Sequence, residues 1–251
     1  MSRKKVLITG AAGYIGTFLR KAWKDRYDLV LLDRKEINEP GDAEVIIGDI
    51  RDVDAVRNAC KDVHTVAHLA AIADYRADFC KEVLPMNIIG THNVFQAASE
   101  AGVKRIIFAS SIHAVGAYPA DVQVKWDMPV RPCCEYGASK CYGEALGRYF
   151  SDRHGISVLV IRIGGVHGHN THNPHPDASR VDIGVSEADL TQLITKCVEA
   201  PEDIQFDIYH GISANRIKRL DISHTREVLG YEPQDEAGEE FGIPETKPVH
   251  S

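Results

Sequence analysis

Tyr136 and Lys140 stand four positions apart in the stretch EYGASKCYGE. On a helix, residues at i and i+4 share a face, so a phenol and an amine at this spacing point into one site. A cation beside a phenol favours the phenolate and lowers a pKa that otherwise lies at about 10. Such a phenol is a usable general base near neutral pH. The pair alone also fits an amphipathic helix with a half-buried tyrosine and a solvated lysine. Its meaning depends on what the chain places beside it.

A second group of residues has the chemistry of phosphate recognition. The run ITGAAGYIG sets Gly10, Gly13 and Gly16 in a G-x-x-G-x-x-G array after a strand-like run and at the start of a helical one. Glycines there permit a tight turn and let the backbone approach a pyrophosphate, which sits on the helix N-terminus. Ala12, Tyr14 and Ile15 lie in the same loop and are expected to share the cofactor site. Asp33 ends the next strand-like run. A carboxylate there accepts hydrogen bonds from an adenosine ribose and repels a 2′-phosphate, which favours NAD over NADP. Arg34 could pair with a phosphate instead, and that alternative stays open. GDIRD puts Asp49 and Ile50 at a strand end suited to adenine. HLAA puts Leu69, Ala70 and Ala71 where a sheet edge meets a dinucleotide.

These residues need a scaffold, and the apolar pattern supplies one. KVLITG, DLVLLD, AEVIIGDI, TVAHLAA, RIIFASS and SVLVIRIGG read as strands buried on both faces, with helical spacing between most of them. PMNIIGTHNVFQAASEAGV reads as a long amphipathic helix capped by Gly102. This alternation predicts an α/β fold, a doubly wound parallel sheet of Rossmann type with a small C-terminal substrate-binding region. No repeat or linker interrupts it, so residues 1–251 are expected to form one domain, with substrate loops mainly within 164–220.

Composition narrows the class. A net charge of −7 argues against non-specific nucleic-acid binding. No apolar run approaches the roughly 20 residues of a membrane span, and the start of the chain turns polar too quickly for a secretory signal. The six cysteines form no CxxC pattern and are expected to be reduced thiols of a cytoplasmic protein, the adjacent Cys133 and Cys134 included. His167, His169, His172 and His175 invite a metal. Without a cysteine or acidic pair at a familiar spacing they are expected to belong to a substrate loop, and no metal is expected.

Taken in order, the glycine array, Asp33, HLAA, FASS and YGASK resemble the extended short-chain dehydrogenase/reductase superfamily, the NAD-dependent epimerases and dehydratases, over nearly the whole chain. The resemblance implies that Tyr136 is the catalytic base and that Lys140 binds the nicotinamide ribose and lowers the tyrosine pKa. It implies that Ser111 hydrogen-bonds the reacting oxygen, that Asn87 supports the lysine, and that the protein is a homo-oligomer. FASSIHAVGAYP, RPCCEYGASKCYGE and IRIGG are similar more closely to the uronate dehydrogenases, which oxidise carbon 1 of a hexuronic acid to a lactone with NAD. That likeness implies substrate contacts at His113 and a carboxylate clamp at Arg180. It also marks three departures: Ile112, Ala73 and Gly165 stand where that family has serines. A small-molecule sugar is thus the expected substrate. A nucleotide-sugar epimerase or reductase is the alternative, although the chain after Gly165 is short for such a lobe. A dinucleotide-binding sensor without catalysis is the third reading.

Overall fold

A computed structural model describes residues 3–166 and 183–236. Its strands are β1 (Lys5–Thr9), β2 (Asp28–Asp33), β3 (Glu44–Ile47), β4 (Thr65–His68), β5 (Arg105–Ser111), β6 (Ser157–Ile163), β7 (Gly165–Val166), β8 (Gly184–Val185) and β9 (Phe206–Gly211). The helices are α1 (Tyr14–Trp23), α2 (Val53–Ala59), α3 (Thr91–Glu100), α4 (Glu135–His154), α5 (Glu187–Glu199) and α6 (Ser223–Leu229). Seven strands form one parallel sheet in the order β3-β2-β1-β4-β5-β6-β9, and β7 pairs with β8 apart from it.

The near-continuous apolar runs are explained by two cores. Successive side chains of a strand point to opposite faces. Val6, Ile8, Leu159 and Ile161 meet Leu19 and Trp23 of α1 and Leu193 and Ile194 of α5. Leu7, Val66, Val158 and Val160 meet Val56 of α2, Phe95 of α3 and Phe150 of α4. The chain runs outward from β1 to β3 and then crosses to β4 on the other side. That reversal opens a crevice at the carboxyl ends of β1 and β4, where ligands of such sheets bind.

The predicted long helix differs at its start. Its last turns are α3, closed by Gly102 at φ +72°, but Phe79–Gly90 before it winds as a π-helix. Pro85 lies inside that segment and has no amide proton to give an α-helical ladder, so the wider winding takes its place. A third, smaller core lies apart from these two. Val115 and Val124, from the segment after β5, share a small core with Ile212, Leu220 and Ile222 from the segment after β9.

Candidate active site

The glycine loop sits at the crevice. Gly10 adopts φ +74°, and a Cβ there would come within 2.8 Å of the Ala70 amide nitrogen, so loop and HLAA backbone touch directly. Only glycine satisfies both conditions. Asp33 Oδ2 accepts from the Ala12 N–H at 2.9 Å and its Oδ1 accepts from the Lys35 N–H at 2.9 Å. The carboxylate is thereby fixed at the lip of an open cleft of about 650 Å³. Gly10, Ala12, Gly13, Asp33, Arg34, Asp49, Ile50, Leu69, Ala70 and Ala71 all line it, as expected, joined by Leu32, Gly48, Ile72 and Met86. Gly16 lies beneath, pressed against the Gly10 carbonyl. Tyr14 begins α1 and stacks edge-on with Phe18, while Ile15 packs against the core.

Arg34 leans toward Asp49 across the lip of the cleft. It lies 3.7 Å from Asp49, whose carboxylate also takes two hydrogen bonds from the Arg51 guanidinium, at 3.0 and 2.7 Å. Burial pushes the Asp49 carboxyl up, but the Arg51 hydrogen bonds outweigh it and hold the group low. The cleft therefore presents two anions, Asp33 and Asp49, toward the adenosine end, an arrangement suited to ribose hydroxyls.

Ser111, Tyr136 and Lys140 converge as the sequence predicted. Ser111 ends β5, and its hydroxyl lies close enough to the Tyr136 phenol to pull its pKa down. The Lys140 ammonium lies over the Phe108 ring at 5.1 Å and over the Tyr136 ring at 5.7 Å, and the side chain is buried. Helix α4 reaches this close to the sheet because residue 143 is glycine: a Cβ there would lie inside the Phe108 ring. Asn87 is buried and touches Ser139 rather than Lys140. Its amide donates to Ser139 Oγ at 3.0 Å and to the Ile72 carbonyl at 3.0 Å, and Ser139 donates to the Tyr136 carbonyl at 2.7 Å. Asn87 thus ties the helix that carries Tyr136 to the cleft wall. Below it, Glu144 accepts from Ser110 Oγ at 2.6 Å and pairs with buried Arg162 at 2.8 Å, locking α4 to β5 and β6.

The electrostatics correct one expectation. Burial pushes the Tyr136 phenol up to about 12 against the pull of the Ser111 hydrogen bond. Burial likewise pushes the Lys140 amine down to about 7. Lys140 therefore does not by itself depress the phenol: burial dominates both groups, and the pull that opposes it on the phenol comes from Ser111.

His68, at the end of β4, is held between Thr9 at 2.7 Å and Thr91 at 3.2 Å. Burial, with the Lys140 charge second, holds its pKa down at about 3. Between that value and the unfolded value of about 6.5 the unfolded chain binds the extra proton, so stability falls as pH drops through this window. Replacing His68 by Gln should remove about 2 kcal/mol of the stability lost between pH 6.5 and 4.5, read by urea unfolding at both pH values. An unchanged pH dependence would show that His68 is already charged in the fold.

The substrate-side predictions divide. His113 stands at the site, its ring 5.5 Å from that of Tyr136. Ile112 turns instead into the small apolar core with Val115 and Ile212, which is the physical reason a serine is not wanted there. Ala73 is exposed in the loop after β4. Gly165 lies in β7, where a Cβ would meet nothing nearer than Ile183 at 4.0 Å, so a side chain would fit. Arg180 and the histidines at 167, 169, 172 and 175 lie outside the described residues. Among the described residues no helix is long and apolar enough to cross a membrane.

Residues 6–198 match the NAD dependent epimerase/dehydratase family. The chain belongs to this family. Its cofactor is NAD, and the cradle that a Cβ at Gly10 would fill, with the Asp33 carboxylate beside it, fits that dinucleotide. The NAD-dependent glucose-6-phosphate dehydrogenase of Haloferax volcanii is 39% identical over 253 aligned residues, covering 93% of this chain and 94% of that one. The uronate dehydrogenase of Pseudomonas putida is 36% identical, over 92% of this chain and 84% of its own. A solved variant of Agrobacterium tumefaciens uronate dehydrogenase, complexed with NAD, superposes with a TM-score of 0.85 at 32% identity over 99% of this chain and 93% of that one. The resemblance drawn from the motifs is borne out.

Proposed function

We propose that the protein is an NAD-dependent dehydrogenase of free cyclic sugars, which oxidises carbon 1 of an anionic hexose, a hexuronate or a hexose 6-phosphate, to its lactone. The observation that carries this reading is the convergence of Ser111, Tyr136 and Lys140 beside the glycine-loop cleft. The named substrates of the two relatives, glucose 6-phosphate and uronates, are both anionic sugars, and they support the substrate class.

Residues 10–16, Asp33 and Asp49 would hold the adenosine and pyrophosphate of NAD, which when bound supplies the hydride acceptor. Tyr136 takes the proton of the carbon 1 hydroxyl, and Ser111 holds the same oxygen. Lys140 stands beside Tyr136 to take the phenol's own proton as it does so. Arg180 clamps the anionic group. Ile112, Ala73 and Gly165 offer no hydroxyl to the sugar, and each lost hydrogen bond costs about 1–3 kcal/mol. Those losses support a site less strictly tuned to hexuronates.

The test is NADH absorbance with glucuronate, galacturonate, glucose 6-phosphate, neutral aldoses and nucleotide sugars. Turnover is expected on an anionic hexose and weak on neutral aldoses. Turnover confined to nucleotide sugars would replace this reading with the epimerase or reductase one. NAD binding without turnover on any sugar would favour the sensor.

A further inference from the structure

The catalytic tyrosine has a neighbour, His113, with a second set of partners on its far side. His113 Nδ1 lies 3.3 Å from Cys133 Sγ and 3.3 Å from Cys134 Sγ. The three atoms fall within 4.8 Å of one another. Zinc bonds to imidazole nitrogen at about 2.0–2.1 Å and to thiolate sulfur at about 2.3 Å, so a tetrahedral ion sets nitrogen and sulfur about 3.6 Å apart. The observed separations are close to that edge before any ion arrives.

The cluster is also held in place by backbone. The Cys133 N–H donates to the His113 carbonyl at 3.2 Å, Arg131 donates to Ala114 at 2.9 Å, and Ala117 donates to Arg131 at 3.0 Å. These bonds pin the segment carrying both cysteines against the turn carrying the histidine. A Cβ at Gly116 would come within 2.7 Å of Cys133 Sγ, so that sulfur rests directly on the turn. Cys134 Sγ accepts from the Gly137 N–H at 3.4 Å at the start of α4. Cys133 is exposed and Cys134 half-exposed, so an ion can reach them.

We propose that His113 Nδ1, Cys133 Sγ and Cys134 Sγ form a binding site for a thiophilic divalent cation, zinc, and that its occupation stops turnover. Three protein ligands leave the fourth position to water. The inhibition follows from what His113 touches. Its ring packs on Tyr136 and stacks on Tyr75 at 6.4 Å, and the His113 backbone N–H donates to Ser111 Oγ at 3.2 Å. A ring held by a metal can no longer turn toward a sugar. Binding displaces the thiol protons, which must leave before each sulfur can bond to the ion. Zinc affinity therefore rises with pH across the neutral range.

The experiment uses the full chain purified without a histidine tag. Zinc is titrated against a chromophoric chelator, and cobalt is used as a spectroscopic substitute. One equivalent of zinc is expected, with a thiolate-to-cobalt charge-transfer band and two thiols protected from a thiol reagent. The C133S/C134S variant should bind zinc more than about 100-fold less tightly. Serine keeps an oxygen to cap α4, and Cys133→Ser alone, at an exposed position, serves if the double variant does not fold. Less than half an equivalent in the wild type, or zinc that persists in the variants, would overturn the site. Turnover in the wild type should vanish on adding zinc, return with a chelator, and persist in the variants under zinc. Zinc bound without loss of turnover would overturn the inhibition. A protein inactive on every sugar would still answer the binding question, so this failure is separable from that of the proposed function.

Discussion

Tyr136→Phe should lower kcat by about 10³-fold or more while NAD binds almost unchanged. The range for removing a positioned general base is about 10²–10⁴-fold. The upper half is expected here because, among the described residues, no carboxylate is free to act on the same oxygen: Ser111 is a neutral hydroxyl, and buried Glu144 is occupied by Ser110 and Arg162. The substitution removes one oxygen and keeps the ring that packs against His113, so α4 and the cleft should keep their form. Cofactor affinity is read by fluorescence titration and turnover by NADH absorbance. If the variant keeps more than a tenth of wild-type kcat, Tyr136 is not the base.

Much of this site could be read from the sequence because its parts are local. Gly10, Gly13 and Asp33 are fixed by a strand-turn-helix pattern spanning a few dozen residues, and Tyr136 and Lys140 by one helical turn. What could not be read comes from long-range packing. Asn87 was expected to support Lys140, but its partner is Ser139, and only the crossing of the π-helix with α4 decides between neighbours one residue apart. Ile112 looked like a lost substrate contact, yet it serves the core that joins the segments after β5 and β9. That core rests on residues about a hundred positions apart, such as Val124 and Leu220, which no local pattern connects. The adjacent cysteines read as ordinary thiols because their histidine lies twenty residues upstream, brought back by backbone pairing. Desolvation was hidden for the same reason. Spacing puts an amine near a phenol, but only the finished fold says that both are buried.

That burial sets the pH dependence, and Lys140→Met tests it. In the wild type the pair gives up its first proton near pH 7, the value to which burial lowers Lys140. Once that proton has left, neutral Lys140 can take the Tyr136 proton as Tyr136 takes the sugar's, with no phenolate formed beforehand. The form competent to accept the sugar's proton therefore accumulates as pH rises through about 7, and kcat/KM should rise with it to a plateau. With methionine at 140 the phenol has no neighbour to take its proton and must ionise alone, with a pKa pushed up to about 12. The rising limb should then move beyond pH 10, and kcat/KM at pH 8 should fall by about 10²–10⁴-fold, the range for losing a positioned proton-transfer group. A loss confined to cofactor binding would instead raise the KM for NAD and leave the limb where it was. The full profile from pH 6 to 10 separates the two, and an unmoved limb would mean that Lys140 holds the ribose without sharing the proton.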